Sequence, residues 1–149
     1  MVVDNSTLTM EINSGNVNLC TTLVTDMTEL FKDNVSFNSD IGFWDTSNVT
    51  FMYALFKNSN SFNQYIGDWD ISKVINTAGV FDGASAFNQD IGNWNTSKVI
   101  KMRRTFRGST TFNQDLTGWC VTNITTEPSQ LSLNAPLEGK NKPVWGTCL

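Results

Sequence analysis

Large apolar residues return along the chain at a fixed interval of 25 positions: Phe37, Phe62, Phe87 and Phe112, and likewise Trp44, Trp69, Trp94 and Trp119. Each phenylalanine is followed by an asparagine, Asn38, Asn63, Asn88 or Asn113, and four full units run from Cys20 to Trp119 without an insertion. A period of this size marks a repeat architecture in which each unit covers the apolar face of its neighbour. Columns beginning at Val24, Val49, Val74 and Val99 place apolar residues at the first, fourth, seventh and eighth positions, as in Val49, Met52, Leu55 and Phe56. That is the spacing of one helix face. Two residues before each valine stands a hydroxyl, Thr22, Ser47, Ser72 or Ser97, with Thr122 continuing the series. These residue types cap helix N-termini. At the other end Asp33, Asn58, Gly83 and Gly108 tolerate a left-handed C-cap.

The pattern thus predicts a helix of about three turns per unit, for example over 48–57. The following FNQxIGxW predicts a short strand, near 64–66 in the second unit, and then a tight turn at Gly42, Gly67 or Gly92. Stacked strands would form a parallel ladder with a spacing of about 4.8 Å. The expected fold class is α/β, a solenoid of four 25-residue helix-strand coils in a single domain over residues 1–149. Residues 1–19 form an N-terminal cap, 20–119 the repeats and 120–149 a C-terminal cap. Ile12 and Asn13 fall one period before Phe37 and Asn38, so EINSGNVNL reads as the end of a degenerate coil. Downstream, Ile124 and Leu131 keep the valine and phenylalanine columns, Pro128 disrupts the helix interior, and Trp145 arrives one residue late.

Composition narrows the functional classes. The 149 residues suit one domain. Charged residues make up only 16%, their place taken by Asn, Ser, Thr and Gln, which is the polar surface of a secreted or surface-exposed protein. A net charge of −4 disfavours nucleic acid and anionic membranes as partners. No apolar run approaches the roughly 20 residues of a membrane span, so no membrane insertion is expected. The opening Met1-Val2-Val3-Asp4 lacks a signal-peptide pattern, so the protein is not exported or the chain begins after a removed signal. With no histidine and no CxxC, histidine triads and His-containing zinc sites are excluded, and neither a cofactor nor a metal is expected. Cys120 and Cys148 both lie in the C-terminal cap and are predicted to pair. Cys20, four coils away, is on the order of 20 Å distant by the strand spacing and is predicted to stay free.

The unit FNQDIGNWDTSxVxxMxxLF, carried by residues 20–119, resembles the tandem repeat of BspA-like surface proteins, also called the mycoplasma-type lipoprotein repeat. The closing NKPVWGTC resembles the cap that follows such repeats in secreted members. The resemblance implies a leucine-rich-repeat-like solenoid, a place on the cell surface or outside the cell, and a part in adhesion or in protein and host-surface interaction. It supplies no catalytic residues. The chain departs from the unit at Thr77, where Met is usual, and at Leu116-Thr117 in place of Ile-Gly.

Columns that do not vary read as scaffold, with Asn38, Asn63, Asn88 and Asn113 satisfying backbone groups between coils. Asp40, Asp90 and Asp115 read as solvated turn residues, although their recurrence also permits a calcium site or a paired-carboxylate hydrolase using Asp90 and Asp115. Columns that vary mark the exposed surface. Phe51 and Tyr53 are large aromatics where other units carry polar or small residues, and they suggest either a contact patch or packing against a neighbouring loop. Phe43 and Tyr65 are similar oddities. KVIKMRRTFR places Lys98, Lys101, Arg103, Arg104 and Arg107 on one predicted helix, either as a dock for an anion, an acidic glycan or an acidic protein, or as a solvated face. Sequons stand at Asn5, Asn34, Asn48, Asn95 and Asn123. The broken column Thr46, Ile71, Thr96 argues against an ice-binding face. The expected function is a non-enzymatic surface or secreted module that binds a protein or glycan through some of Phe51, Tyr53, Phe43, Tyr65, Lys101, Arg103, Arg104 and Arg107. The alternatives are a structural spacer of a longer surface protein and the aspartate-based hydrolase.

Overall fold

The computed structural model describes residues 1–148 and keeps the 25-residue register, but it builds the register from turns. Among the described residues the α-helix is α1 (Asn5–Asn13), a 3-10 turn covers Gly139–Asn141, and pairing between strands is limited to isolated bridges. The leucine-rich-repeat-like α/β solenoid of helix-strand coils is therefore not what the chain forms. Segment 48–57 holds an isolated bridge at Phe51 followed by turns from residue 53 on.

The backbone explains the difference. In the second coil the amides of Met52, Ala54, Phe56 and Asn58 donate to the carbonyls of Asn76, Ala78, Val80 and Asp82 in the next coil, at 2.8 to 3.1 Å. The amides between them, Leu55, Lys57 and Ser59, donate back three residues to Met52, Ala54 and Phe56. Every fourth residue is left-handed: Ala54 has φ 52 and Asn58 φ 59, as do Glu29 and Asp33 before them and Gly79 and Gly83 after. A left-handed residue at that interval ends a right-handed helix within its first turn. An apolar residue every third position serves both structures, so the stripe alone does not separate them.

The expected strand near 64–66 is likewise absent. A parallel ladder one residue wide runs instead through Asp26, Phe51, Asn76 and Lys101. The serines expected as N-caps sit in turns, where the amides of Ser47, Ser72 and Ser97 donate to the side chains of Asp45, Asp70 and Asn95.

The core is a set of aromatic stacks. Phe31, Phe56, Phe81 and Phe106 follow one another at 5.4 to 5.8 Å between ring centroids, and Phe37, Phe62, Phe87 and Phe112 at 5.8 to 5.9 Å. Offset stacking at such distances adds to the gain from burial. The indole N–H groups of Trp69, Trp94 and Trp119 donate to the carbonyls of Ile41, Ile66 and Ile91 in the preceding coil, so the tryptophans are both core and cross-coil links. Among the described residues no buried side-chain nitrogen or oxygen lacks a partner. Coil spacing is set by the glycine column: a Cβ on Gly42, Gly67 or Gly92 would lie 2.7, 2.5 or 2.6 Å from the carbonyl oxygen of Tyr65, Asp90 or Asp115 in the next coil.

Both ends differ from expectation. Residues 5–13 are α1, not half of a coil; Ile12 and Asn13 lie in its last turn. Asp4 caps it, accepting from the amides of Ser6 and Thr7 at 3.0 Å while the Thr7 hydroxyl accepts from the Asp4 amide. The Asn5 side chain then ties the helix to the amides of Thr25 and Asp26. In the fifth coil the Leu131 carbonyl accepts from Phe106, as Thr105 accepts from Phe81. Leu131 thus continues the column of Leu55, Val80 and Thr105, not that of the phenylalanines. The left-handed pair Gln130 and Asn134 shows the same lag of one residue behind Arg104 and Gly108. Cys120 and Cys148 are joined, with Cα atoms 4.1 Å apart, and Cys20 is free and exposed.

Candidate functional site

Alternation along the turn segment sends Met27, Met52 and Met102 inward and Phe51 and Tyr53 outward, 40% and 42% exposed. Ala78 takes the place of a large side chain between Tyr53 and Arg103, one coil above the first and one below the second, and leaves a depression there. Two hollows share Tyr53, Ala78 and Arg103 as walls. The larger, about 580 Å³, continues over Ile100, Lys101 and Met102 to Asn123–Thr126 and Pro128 of the fifth coil. The smaller, about 100 Å³, is floored by Ala54 and Gly79 and edged by Lys57, Asp82 and Arg104. Together they form a groove crossing four coils, about 15 Å at the usual spacing of adjacent strands.

Four cations line this groove, Lys57, Lys101, Arg103 and Arg104, against one carboxylate, Asp82. Asp82 is already held by Arg107, whose Nε and Nη2 donate to Oδ1 and Oδ2 at 2.8 Å each. The paired carboxylate keeps the Arg107 guanidinium's pKa above its ordinary value, chiefly through the hydrogen bond. Arg104 is partly engaged as well, donating from Nε to Gln130 Oε1 at 2.6 Å. The basic segment is thus not one continuous helix face. Lys101 and Arg103 flank the groove, Arg104 edges it, and Arg107 is tied into the frame.

The other aromatic candidates lie apart. Phe43, 57% exposed, borders a shallow cavity of about 360 Å³ with Met1, Asn18, Leu19, Cys20, Thr21 and Asp45. Tyr65 lies over Gly67 and donates its hydroxyl to Asp68 at 3.1 Å, which raises the phenol's pKa. Neither residue lines the groove.

The recurring aspartates act locally. Asp40, Asp90 and Asp115 accept from the amides of Gly42, Gly92 and Thr117 at 2.9 Å. The Thr117 amide and hydroxyl hold the Asp115 carboxyl below its ordinary pKa. No group of three or more metal-ligating side chains occurs among the described residues. The asparagine column works as a ladder: Oδ1 of Asn38, Asn63, Asn88 and Asn113 accepts the amides of Asn63, Asn88, Asn113 and Glu138 at 2.9 to 3.1 Å. What the sequence did not reveal is the groove itself, because its larger half depends on how the fifth coil departs from register.

A family model described as Mycoplasma protein of unknown function, DUF285, matches residues 4–82 and 25–136. The chain belongs to this family. The overlapping matches extend beyond the four regular units into α1 and, as far as residue 136, into the fifth coil. No curated protein and no solved structure matches the chain. No helix among the described residues is long and apolar enough to cross a membrane.

Proposed function

We propose that this chain is a non-enzymatic interaction module of a BspA-like cell-surface or secreted protein, and that it meets a protein or glycan partner through the groove bounded by Tyr53, Lys101 and Arg103, with Phe51 exposed two residues before Tyr53. The observation that carries the reading is the contrast between faces. The asparagine and tryptophan columns are spent on coil-to-coil bonds and the glycine column on close approach between coils, whereas the groove gathers an exposed aromatic, Tyr53, and the cations Lys101 and Arg103, which the frame does not use. Partly exposed aromatics beside a depression with a few polar groups are the usual makings of a recognition surface. A non-catalytic role is further supported by the aspartates, each of which uses its Oδ1 to brace its own turn.

The test is a screen of immobilised host-surface proteins and glycans against three forms: the native chain, a Phe51→Ala, Tyr53→Ala variant, and a Phe43→Ala, Tyr65→Ala variant. A ligand retained by the native chain and by the second variant, but lost by the first, is the expected result. If both variants bind as the native chain does, the groove is not the recognition face. If nothing is retained at all, the chain is a spacer.

A further inference from the structure

One seam of the stack is open, and it opens into the groove. In the first three coils the amides of Met27, Met52 and Thr77 donate to the carbonyls of Phe51, Asn76 and Lys101, and those of Glu29, Ala54 and Gly79 to Tyr53, Ala78 and Arg103. Their fourth-coil counterparts are Met102 and Arg104. Neither amide has a hydrogen-bond acceptor among the described residues, and bonding to the fifth coil resumes only at Phe106 and Gly108. The parallel ladder also ends at Lys101.

The cause lies in the fifth coil. Its Pro128 accepts from the Leu131 amide as Met52 accepts from Leu55, so the proline stands in the methionine column. The extra residue falls just before it, where Thr125 and Thr126 line the gap. Both amides belong to columns that are bonded between coils everywhere else in the regular units, so their opening is specific to this seam. They flank Arg103, and Arg104 is left-handed at φ 60. Amides around a left-handed residue form a concavity suited to an anion.

Three features therefore line one groove: open N–H donors at Met102 and Arg104, the cations Lys101 and Arg103, and, across Ala78, the Tyr53 ring. The charge of the lining, four cations against a carboxylate already paired with Arg107, runs opposite to the chain's net −4. Strand addition by a peptide needs a continuous free backbone edge. The amides of Ala54 and Gly79 on the groove floor are used between coils, so the open backbone donors are confined to Met102 and Arg104. Recognition must come from side chains and the two open amides, which suits a sugar chain carrying acid groups.

Resting on the interaction-module reading, we propose that the seam between the fourth and fifth coils binds a carboxylated oligosaccharide. The carboxylate is received by the amides of Met102 and Arg104 and by the Arg103 guanidinium, with Lys101 close by. The hydroxyls of Thr125 and Thr126 meet those of the sugar that carries the carboxylate, and a further ring along the chain lies against Tyr53. A guanidinium and two amides match the planar carboxylate through charge-assisted bonds.

The test uses the whole chain and three probes of equal length: a polyuronate hexasaccharide, its neutral counterpart and hexaglutamate. Calorimetry gives the affinities, and amide chemical shifts from an isotope-labelled sample locate the contact. Expected are binding of the polyuronate alone, weakening with salt, and a loss of about tenfold for each of Arg103→Ala and Tyr53→Ala, the size of one charge-assisted bond or one aromatic contact. The Met102 and Arg104 amide signals should shift most. Both variants are at exposed positions, and an unchanged aromatic circular-dichroism spectrum establishes that the stack is intact. Equal binding of the neutral sugar, equal or tighter binding of hexaglutamate, or unmoved Met102 and Arg104 amides overturns the proposal. If the polyuronate fails while the screen described above finds a neutral glycan or a protein lost with Phe51 and Tyr53, the ligand class is wrong and the module reading stands. If both experiments find nothing, both fall.

Discussion

Arg107 and Asp82 stand one coil apart in the same column, and the carboxylate they share is only 7% exposed. Read along the chain, Arg107 is one more cation in KVIKMRRTFR and a candidate ligand contact. In the folded chain its donors are already taken. The distinction matters for mutagenesis, because removing one partner of a mostly buried pair leaves an uncompensated charge, whereas removing both leaves none. Arg107→Ala is expected to cost about 2 kcal/mol, less than a fully buried pair because the arginine is partly solvated. Adding Asp82→Ala to it should recover most of that loss. Urea titrations of the two single variants and the double variant measure both quantities. A cost below about 0.5 kcal/mol for Arg107→Ala, within the range of ordinary surface substitutions, would mean that the pair is loose and that Arg107 is available to a ligand after all. Arg103 makes the opposite case: nothing in the frame holds it, so its loss should be felt in binding and hardly in stability.

At the scale of elements, the chain's helix formed where the repeat is weakest and turns formed where the stripe is strongest. The left-handed column Asp33, Asn58, Gly83, Gly108 is legible from residue type, which suits the end of a helix as well as a turn. The second left-handed column, Glu29, Ala54, Gly79, Arg104, was hidden, because three of its four members are residues that favour helices. Gly79 was the one local sign, a glycine in the middle of a predicted helix. The deciding factor is not local, since a coil whose alternate amides face its neighbour gains cross-coil bonds that an isolated segment cannot make. The helix α1 is hard to read from sequence for the converse reason: its signal is a cap, Asp4 with Thr7, and not an apolar stripe. That cap makes the helix pH-sensitive. The hydroxyls and amides of Ser6 and Thr7 lower the Asp4 carboxyl from 3.8 to about 2. A folded-state value below the unfolded one gives stability that is fully present above pH 4 or so and is lost as the pH falls towards 2. Asp115 and Glu138, also lowered, act in the same direction. Thermal midpoints measured from pH 6 down to 2 should therefore fall for the native chain and fall less for Asp4→Asn. Parallel curves for the two would mean that Asp4 does not cap α1 in solution.

For the whole molecule, the sequence period supplied the register, the core columns, the asparagine ladder and the exposure of Phe51 and Tyr53, because all of these repeat or break a repeat. It did not supply the groove, which arises where repetition stops. Only knowing which amides donate upward shows that Met102 and Arg104 are left over, and that knowledge is three-dimensional. The same end of the stack is where stability should be lowest. A stack of coils gains its stability from contacts between neighbours, so it opens from an end, and the fifth coil meets the fourth across a seam that lacks two of its bonds. Against that loss stands the link between Cys120 and Cys148, 28 residues apart. Closing a loop of that length restricts the unfolded chain by about 3.6 kcal/mol in the chain-entropy account. Reduction, or Cys120→Ala with Cys148→Ala, is expected to release the fifth coil before any other part. Hydrogen exchange should then accelerate at the amides of Phe106, Gly108, Leu116 and Val121, which donate into residues 131–147. The amides of Met52, Ala54 and Phe56, bonded between the second and third coils, should keep their protection. Uniform acceleration in all coils would show that the chain opens as one unit, and unchanged exchange at Val121 would show that packing of Leu131 and Leu137 holds the cap without the link. Because the anion cleft lies in this seam, the reduced form should also bind the polyuronate more weakly than the oxidised one, which ties the redox state of the cap to the occupancy of the groove.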